Sequence, residues 1–218
     1  MMIKNHHLLL VLTLFLGIGL VSRPLLAQAG QPLLDRMSAH YQTLAPCVLS
    51  FEIVQYYDRN TTDYQSSLGS FYIAGPQKFR VDFIDQELIY DGEWLWSYDR
   101  PNGQVIIEAL DPQSSLKFIF NMLLGNWENF RVVSVEAPKG GETTSLGLKT
   151  LDDNDYFNAI FLKIQRESEL LQSATYLDFN RLKTVIEFSD PKRIQPAVAA
   201  ILFDTQRLNA KELIDLRP

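Results

Sequence analysis

Residues 89–99 read Ile-Tyr-Asp-Gly-Glu-Trp-Leu-Trp-Ser-Tyr-Asp. Asp91-Gly92 is a hairpin dipeptide, because a tight turn needs positive φ, which Gly adopts freely and Asp tolerates. Beyond it Trp94, Trp96 and Tyr98 recur at every second position, the period of a strand, and so share one face. Gln86–Tyr90 supplies the other arm. The preceding run, Lys78–Ile84, alternates with Phe79, Val81 and Phe83 on one face and Arg80 and Asp82 on the other. Leu68–Ala74, turned by Gly75-Pro76, and Val48–Tyr57 are rich in β-branched and aromatic residues and read as two more strands.

Downstream, Pro101-Asn102-Gly103 is a further turn and Gln104–Leu110 a further strand. The period then changes. Asp111 is a candidate N-cap with Pro112 in the first helical turn. Leu116, Phe118, Ile119, Phe120, Met122, Leu123 and Leu124 make this helix apolar nearly all round, so most of its surface is expected to be buried. Gly125 stops it. Strand patterns resume at Phe130–Glu136, Ser145–Leu151, Asn158–Arg166, Ala174–Phe179 and Lys183–Phe188, with turns at Pro138-Lys139-Gly140-Gly141 and Asp152-Asp153-Asn154. Upstream, Leu33, Leu34, Met37, Tyr41 and Leu44 recur at spacings of three and four and define an amphipathic helix that Pro46 ends. The tail, 200–216, is less regular, with Leu213-Ile214 as a final edge strand. The fold class is mainly β (α+β). About ten or eleven strands, joined by short turns, imply an antiparallel meander curved into a sheet, with two helices laid on its concave side. A doubly wound fold would need helices between the strands.

The first 29 residues read as a cleaved secretory signal: Lys4, an apolar run from Leu8 to Val21, then Ala27-Gln28-Ala29. The run, about 14 residues, is shorter than the ~20 a spanning helix needs. Cleavage after Ala29 leaves Gly30–Pro218 as a single domain. It removes Lys4 and Arg23 from 20 basic residues and none of the 26 acidic ones, for a net charge of −8. An acidic chain with scattered basic residues is a poor nucleic-acid binder, and no polybasic patch offers itself to anionic lipid. Cys47 is the only cysteine, so no disulfide forms within the chain, and it is expected to be a small buried residue.

Catalytic motifs are missing: no phosphate-binding loop, no dinucleotide fingerprint, no nucleophile elbow, no zinc-protease helix. His40, on the first helix, is the only histidine after the signal. Cysteine/histidine metal sites and a Ser-His-Asp triad therefore lack their parts, and no cofactor is implied. Asp152, Asp153 and Asp155 lack the glycine and spacing of a calcium loop and read as a solvated turn. The chain does carry apolar surface at alternating strand positions: Phe71, Phe79, Val81, Phe83, Trp94, Trp96 and Tyr98. Periodicity alone leaves open whether these pack a core or line a cavity.

From Phe51 to Glu108 the chain resembles the LolA-type outer-membrane lipoprotein carrier family. Ser50-Phe51-Glu52-Ile53-Val54-Gln55 is similar to that family's first strand, and Gly69-Ser70-Phe71-Tyr72-Ile73 to its second. Gly75-Pro76-Gln77-Lys78-Phe79-Arg80-Val81 resembles the proline-centred turn and the strand after it. Residues 89–99 match the hairpin pattern D-G-x-x-x-W-x-Y, and Gln104-Val105 follows. Residues 212–217 resemble the ending of some members. One departure is Gly75, where many members carry an arginine before the proline, a residue implicated in closing the lid. Alternation puts Arg80 opposite Phe79, so Arg80 does not replace it.

The resemblance implies an incomplete β-barrel, closed by helices over an apolar cavity, in a non-enzymatic periplasmic chaperone that carries lipoproteins from the inner to the outer membrane. Its implied partners are acylated lipoproteins, an inner-membrane ABC-type release complex and an outer-membrane acceptor where one exists, with the carrier a monomer. Phe71, Phe79, Val81, Phe83, Trp94, Trp96 and Tyr98 are the expected acyl-chain contacts, and Phe118, Met122 and Leu123 the expected lid. A charge at Phe79 or Trp96 is expected to abolish cargo retention with less effect on folding. Two other readings compete: a lipid-binding or envelope-stress sensor module on the same half-barrel, and an envelope hydrolase. A continuous apolar cavity under the helix at 111–125 favours a carrier; a filled core favours a sensor or scaffold.

Overall fold

The computed structural model describes residues 23–57, 63–75, 77–111, 115–151 and 157–218. The apolar run at 8–21, Pro76, Pro112 and the Asp152–Asn154 turn lie outside them. Eleven strands form two meanders. The first is β1 (Cys47–Tyr56), β2 (Tyr64–Gly75), β3 (Lys78–Asp82), β4 (Gln86–Tyr90), β5 (Leu95–Asp99) and β6 (Gln104–Glu108). The second is β7 (Phe130–Glu136), β8 (Thr143–Thr150), β9 (Phe157–Gln165), β10 (Leu171–Asp178) and β11 (Lys183–Phe188). β1 joins them, pairing with β2 on one side and with β11 on the other, so that Phe51 lies between Gly69 and Phe188.

The resulting sheet has 13 strands and runs β6-β5-β4-β3-β2-β1-β11-β10-β9-β8-β7, with two short additions. β12 (Lys192–Arg193) pairs with the start of β1, and β13 (Glu212–Asp215) runs parallel to β6 at the edge. A tail strand was legible from Leu213-Ile214, but its parallel pairing departs from the pure meander.

Chain connectivity places the helices. β6 and β7 lie near opposite ends of the sheet, so the segment between them must cross it. That segment is α2 (Ser115–Leu124). Its apolar surface is buried by crossing the concave side. α1 (Arg23–Leu44) lies beside α2 and against β7, where the buried Gly30 brings its backbone onto Val132 and Val135. One core results. Leu49, Phe71, Ile73, Phe79 and Val81 come from the first meander, and Leu146, Ile160, Leu162, Ile164 and Ile186 from the second. Leu34, Met37 and Tyr41 of α1 and Ile119, Phe120, Met122 and Leu123 of α2 close it.

The opposite, convex face has a smaller apolar layer. Ile89, Val105 and Ile107 are buried outside the main core. The C-terminal segment, including α3 (Pro196–Leu202), covers this side, with Ala199 buried. The sequence pattern missed α3, whose few apolar residues have no length over which to show a helical period. It also missed the start of β2, because Tyr64-Gln65-Ser66-Ser67 lacks apolar alternation.

Candidate functional site

The concave face beneath α2 is floored by aromatic rings. Antiparallel register sets Phe71 opposite Val81, Ile73 opposite Phe79, and Phe79 opposite Tyr90, and directly opposed residues share a face. Phe79 is at the centre. Its ring stacks on Phe71 at 5.5 Å and meets Tyr90 at 5.4 Å and Phe120 of α2 at 4.6 Å. Phe83 continues the floor, edge-on to Phe51 at 5.5 Å. From above, Met122 and Leu123 are fully buried, with Ile119 and Phe120 beside them. Of the expected site residues, the structure thus assembles Phe71, Phe79, Val81 and Phe83 with Met122 and Leu123. The side chain of Phe118 lies outside the description. Phe120 and Tyr90 complete the cluster. The helical spacing of Phe120 to Leu123 was readable in the sequence; the inward phase of Tyr90 was not.

Between α2 and the floor, Phe120 packs directly onto Phe79. Where the helix meets the turns of the first meander, a recess of about 210 Å³ opens, lined by Gln77, Tyr90, Phe120, Asn121 and Leu124 among others. The C-terminal end of α2 is tied to α1. Gln42 Nε2 donates to the Leu124 carbonyl at 3.0 Å, and Trp127 Nε1 donates to the buried Ser38 Oγ at 3.2 Å. Gly125 sits between these ties at φ +92°, and a Cβ there would lie 2.9 Å from Ser38 Cβ. Only glycine fits that crossing.

Trp94, Trp96 and Tyr98 do not join the floor, which corrects the single-sided stripe. Tyr90 pairs with Leu95, so Leu95 takes the inward position and Trp96 lies opposite Ile89 on the convex face. There the three aromatics hold the C-terminal segment. Arg217 lies 5.9 Å from the centroids of both indole rings, and Tyr98 Oη donates to the Asn209 carbonyl at 3.3 Å. The hairpin turn is organised by Asp91. Its Oδ1 accepts the Glu93 and Trp94 N–H groups, and its Oδ2 accepts Trp96 Nε1 at 3.0 Å. Burial alone would raise the Asp91 pKa, but these hydrogen bonds outweigh it and the carboxyl is held below its ordinary value. The motif that carries the family resemblance therefore builds a turn and an anchor for the tail.

Arg80 is also on the convex side. Its guanidinium pairs with Asp82 at 2.8 Å and Glu87 at 3.0 Å, and donates to the Leu202 carbonyl at 2.7 Å. Arg100 bridges the same two carboxylates and donates to the Phe83 carbonyl. Two cations and two anions close a neutral network that fixes α3 to the sheet. A side chain at Gly75, in contrast, would meet nothing within 4 Å.

Two buried groups on the concave side titrate far from their usual ranges. Burial pushes the Cys47 thiol up to about 11, against the pull of Arg193. Burial likewise raises the Tyr41 phenol, whose oxygen accepts the Leu171 N–H at 3.3 Å. His40 is half-buried on α1.

Residues 49–206 match the family model described as outer membrane lipoprotein carrier protein LolA. An outer-membrane lipoprotein carrier protein of Alkalilimnicola ehrlichii is 36% identical over 59 residues, which is 26% of this chain and 28% of that protein. The aligned stretch thus spans little more than a quarter of that relative. Among solved structures, an uncharacterized conserved protein from Thermus thermophilus superposes with a TM-score of 0.54 at 14% identity, covering 86% of this chain and 99% of that one. A putative outer membrane lipoprotein-sorting protein domain from Vibrio parahaemolyticus gives 0.51 at 12% identity, covering 84% and 99%. At such identities the likeness is one of fold. With the family model spanning most of the sheet, the chain belongs to the LolA family of outer membrane lipoprotein carrier proteins.

Proposed function

We propose that this chain is a periplasmic carrier that takes up the acyl chains of lipoproteins between α2 and the aromatic floor. The observation behind this is the helix itself: an apolar α2 packs onto the concave face over a ring cluster centred on Phe79, with a recess at its margin. The packing of Phe120 on Phe79 belongs to the closed state. Each methylene buried gains about 0.8 kcal/mol, so a chain of ~15 carbons gains on the order of 12 kcal/mol on leaving water. Lifting α2 exposes apolar surface, and the entering chain covers it again. Gain and cost then nearly balance, which lets cargo be both held and released. Phe71, Phe79, Val81 and Phe83 contact the chain, and Met122, Leu123 and Phe120 ride on the lid. Trp94, Trp96 and Tyr98 hold the tail on the other face.

An N-terminal signal fits this location. Pro32 lies inside the 22-residue α1, where it removes a helical hydrogen bond. After cleavage following Ala29 it stands in the first turn, where its missing N–H costs nothing. The partners of the reading are acylated lipoproteins, an ABC-type release complex and an outer-membrane acceptor. A second reading, a lipid-binding or stress-sensing module on the same half-barrel, draws on the direct packing of Phe120 onto Phe79.

The experiment is a release assay. The protein is added to spheroplasts of its host and the supernatant examined by native mass spectrometry. A one-to-one complex with an acylated lipoprotein is expected. Free lipid alone transfers the reading to a sensor or lipid carrier, and a folded protein with nothing bound refutes transport.

A further inference from the structure

β2 is longer than the strand beside it. Its pairing with β1 runs from Tyr64 to Ile73, but its pairing with β3 begins only at Ser70, opposite Asp82. Past Asp82 the chain turns away, the Phe83 N–H donating to the Gln86 carbonyl at 2.8 Å, and returns as β4. Over Tyr64–Gly69, β2 therefore has a neighbour on one side and, among the described residues, no strand on the other. Alternate backbone N–H and C=O groups on that side have, among the described residues, no strand to pair with.

A groove of about 590 Å³ occupies this place, lined by Ser66, Ser67 and Leu68 and by the turn at 83–86. Consecutive strand residues point to opposite faces. A groove lined by three in a row therefore lies in the plane of the sheet, where β3 would continue. Within the edge itself, Tyr64-Gln65-Ser66-Ser67-Leu68-Gly69 contains no charged residue and no proline. Its mouth is apolar, with Ile84 83% and Leu68 64% exposed.

We propose that this edge is a peptide-binding site, at which an extended segment of a partner protein adds to β2 as a further strand. The free stretch is about 20 Å long at ~3.3 Å per residue, room for a segment of some six residues. Exposed Asp63 and Asp85 stand at its two ends, so the segment carries a basic residue at each end and an apolar residue to cover Leu68 and Ile84. A second copy of this chain is a poor occupant. Antiparallel pairing of two such edges brings Asp63 of one copy beside Asp85 of the other, in a chain whose net charge is already −6. The site uses backbone at a sheet edge and is independent of the acyl-chain reading.

The test uses the full chain, exported, purified and labelled with ¹⁵N. The probe is a synthetic Lys-Thr-Val-Thr-Val-Thr-Lys peptide, compared with a version flanked by glutamates and one N-methylated at alternate amides. Amide shifts and slowed hydrogen exchange are expected at 65–69 and 83–86 with the lysine peptide. The glutamate peptide should bind roughly tenfold more weakly, and the N-methylated one not at all. The double variant Leu68→Lys, Ile84→Lys should lose binding while keeping the parent urea midpoint, since both side chains are exposed. Binding that maps elsewhere, no binding, or equal binding of the N-methylated peptide overturns the proposal. Edge protection that grows with protein concentration before peptide is added assigns the edge to a second copy and overturns it too.

Discussion

The contact between Phe79 and Phe120 is where the lid and the floor can be tested together. Their centroids are 4.6 Å apart, and Phe79 also touches Phe71 and Tyr90. Leucine at either position keeps most of the buried apolar surface and removes the ring, costing roughly 1–3 kcal/mol each. The aromatic pair itself is worth about 0.5–1.5 kcal/mol, and this is the coupling a double-mutant cycle of Phe79→Leu and Phe120→Leu should return. With urea m-values of about 1–3 kcal/mol/M, 1 kcal/mol of coupling is a midpoint discrepancy of roughly 0.3–1 M between the double variant and the sum of the singles. Tryptophan fluorescence follows the transition, since Trp127 is tied to Ser38 of α1. The cycle is then repeated with bound palmitoylated peptide. If acyl chains enter between α2 and β3, the rings part and the coupling falls to the noise of about 0.3–0.5 kcal/mol. A coupling unchanged by bound ligand would place the ligand elsewhere and refute the site. Additivity in the free protein would show that α2 does not rest on Phe79 at all.

Other expectations follow from single contacts. Phe79→Glu buries a carboxylate at a fully enclosed position and should lower stability by several kcal/mol, read as a large fall in urea midpoint, a greater effect on folding than the sequence alone led one to expect. Gly125→Ala meets both a positive φ and the Ser38 Cβ, and should cost about 1–3 kcal/mol; a parent-like midpoint would show the α1–α2 crossing to be looser. Cys47, buried and with its thiol pushed up to about 11, should resist a disulfide reagent in the native state at neutral pH and react in urea. Asp91, whose folded pKa is depressed, contributes stability above its unfolded pKa and loses it as pH falls through the folded value. The deficit of Asp91→Asn should therefore be full at neutral pH and shrink in acid, as read by urea midpoints across that range; a constant deficit would contradict the hydrogen-bonded carboxylate.

Much of the fold was legible because it is local. The hairpin at 89–99, the alternation of 78–84 and the greasy run at 116–124 each report their own period within a few residues. Phe71, Phe79, Val81, Met122 and Leu123 came together because large apolar side chains at those periods have nowhere else to go. Gly125 was readable as a stop, though not as the close crossing with Ser38.

The tertiary structure decided what depends on phase between elements. Alternation says that Trp94, Trp96 and Tyr98 share a face, but not which face. That follows from Tyr90 pairing with Leu95, a register set by where the turn closes, and a shift of one residue would invert every side chain. The same phase sends Arg80 to Asp82, Glu87 and the tail, converting a strand charge into an anchor for α3. The parallel pairing of β13, the short α3 and the open edge of β2 have no local signature, since each is defined only by a neighbour far away in the chain. Sequence alone thus determined the kinds of elements and the residues able to form a core. Which face each aromatic serves, and where the sheet is left unpaired, came from long-range strand register, which no short stretch of this chain encodes.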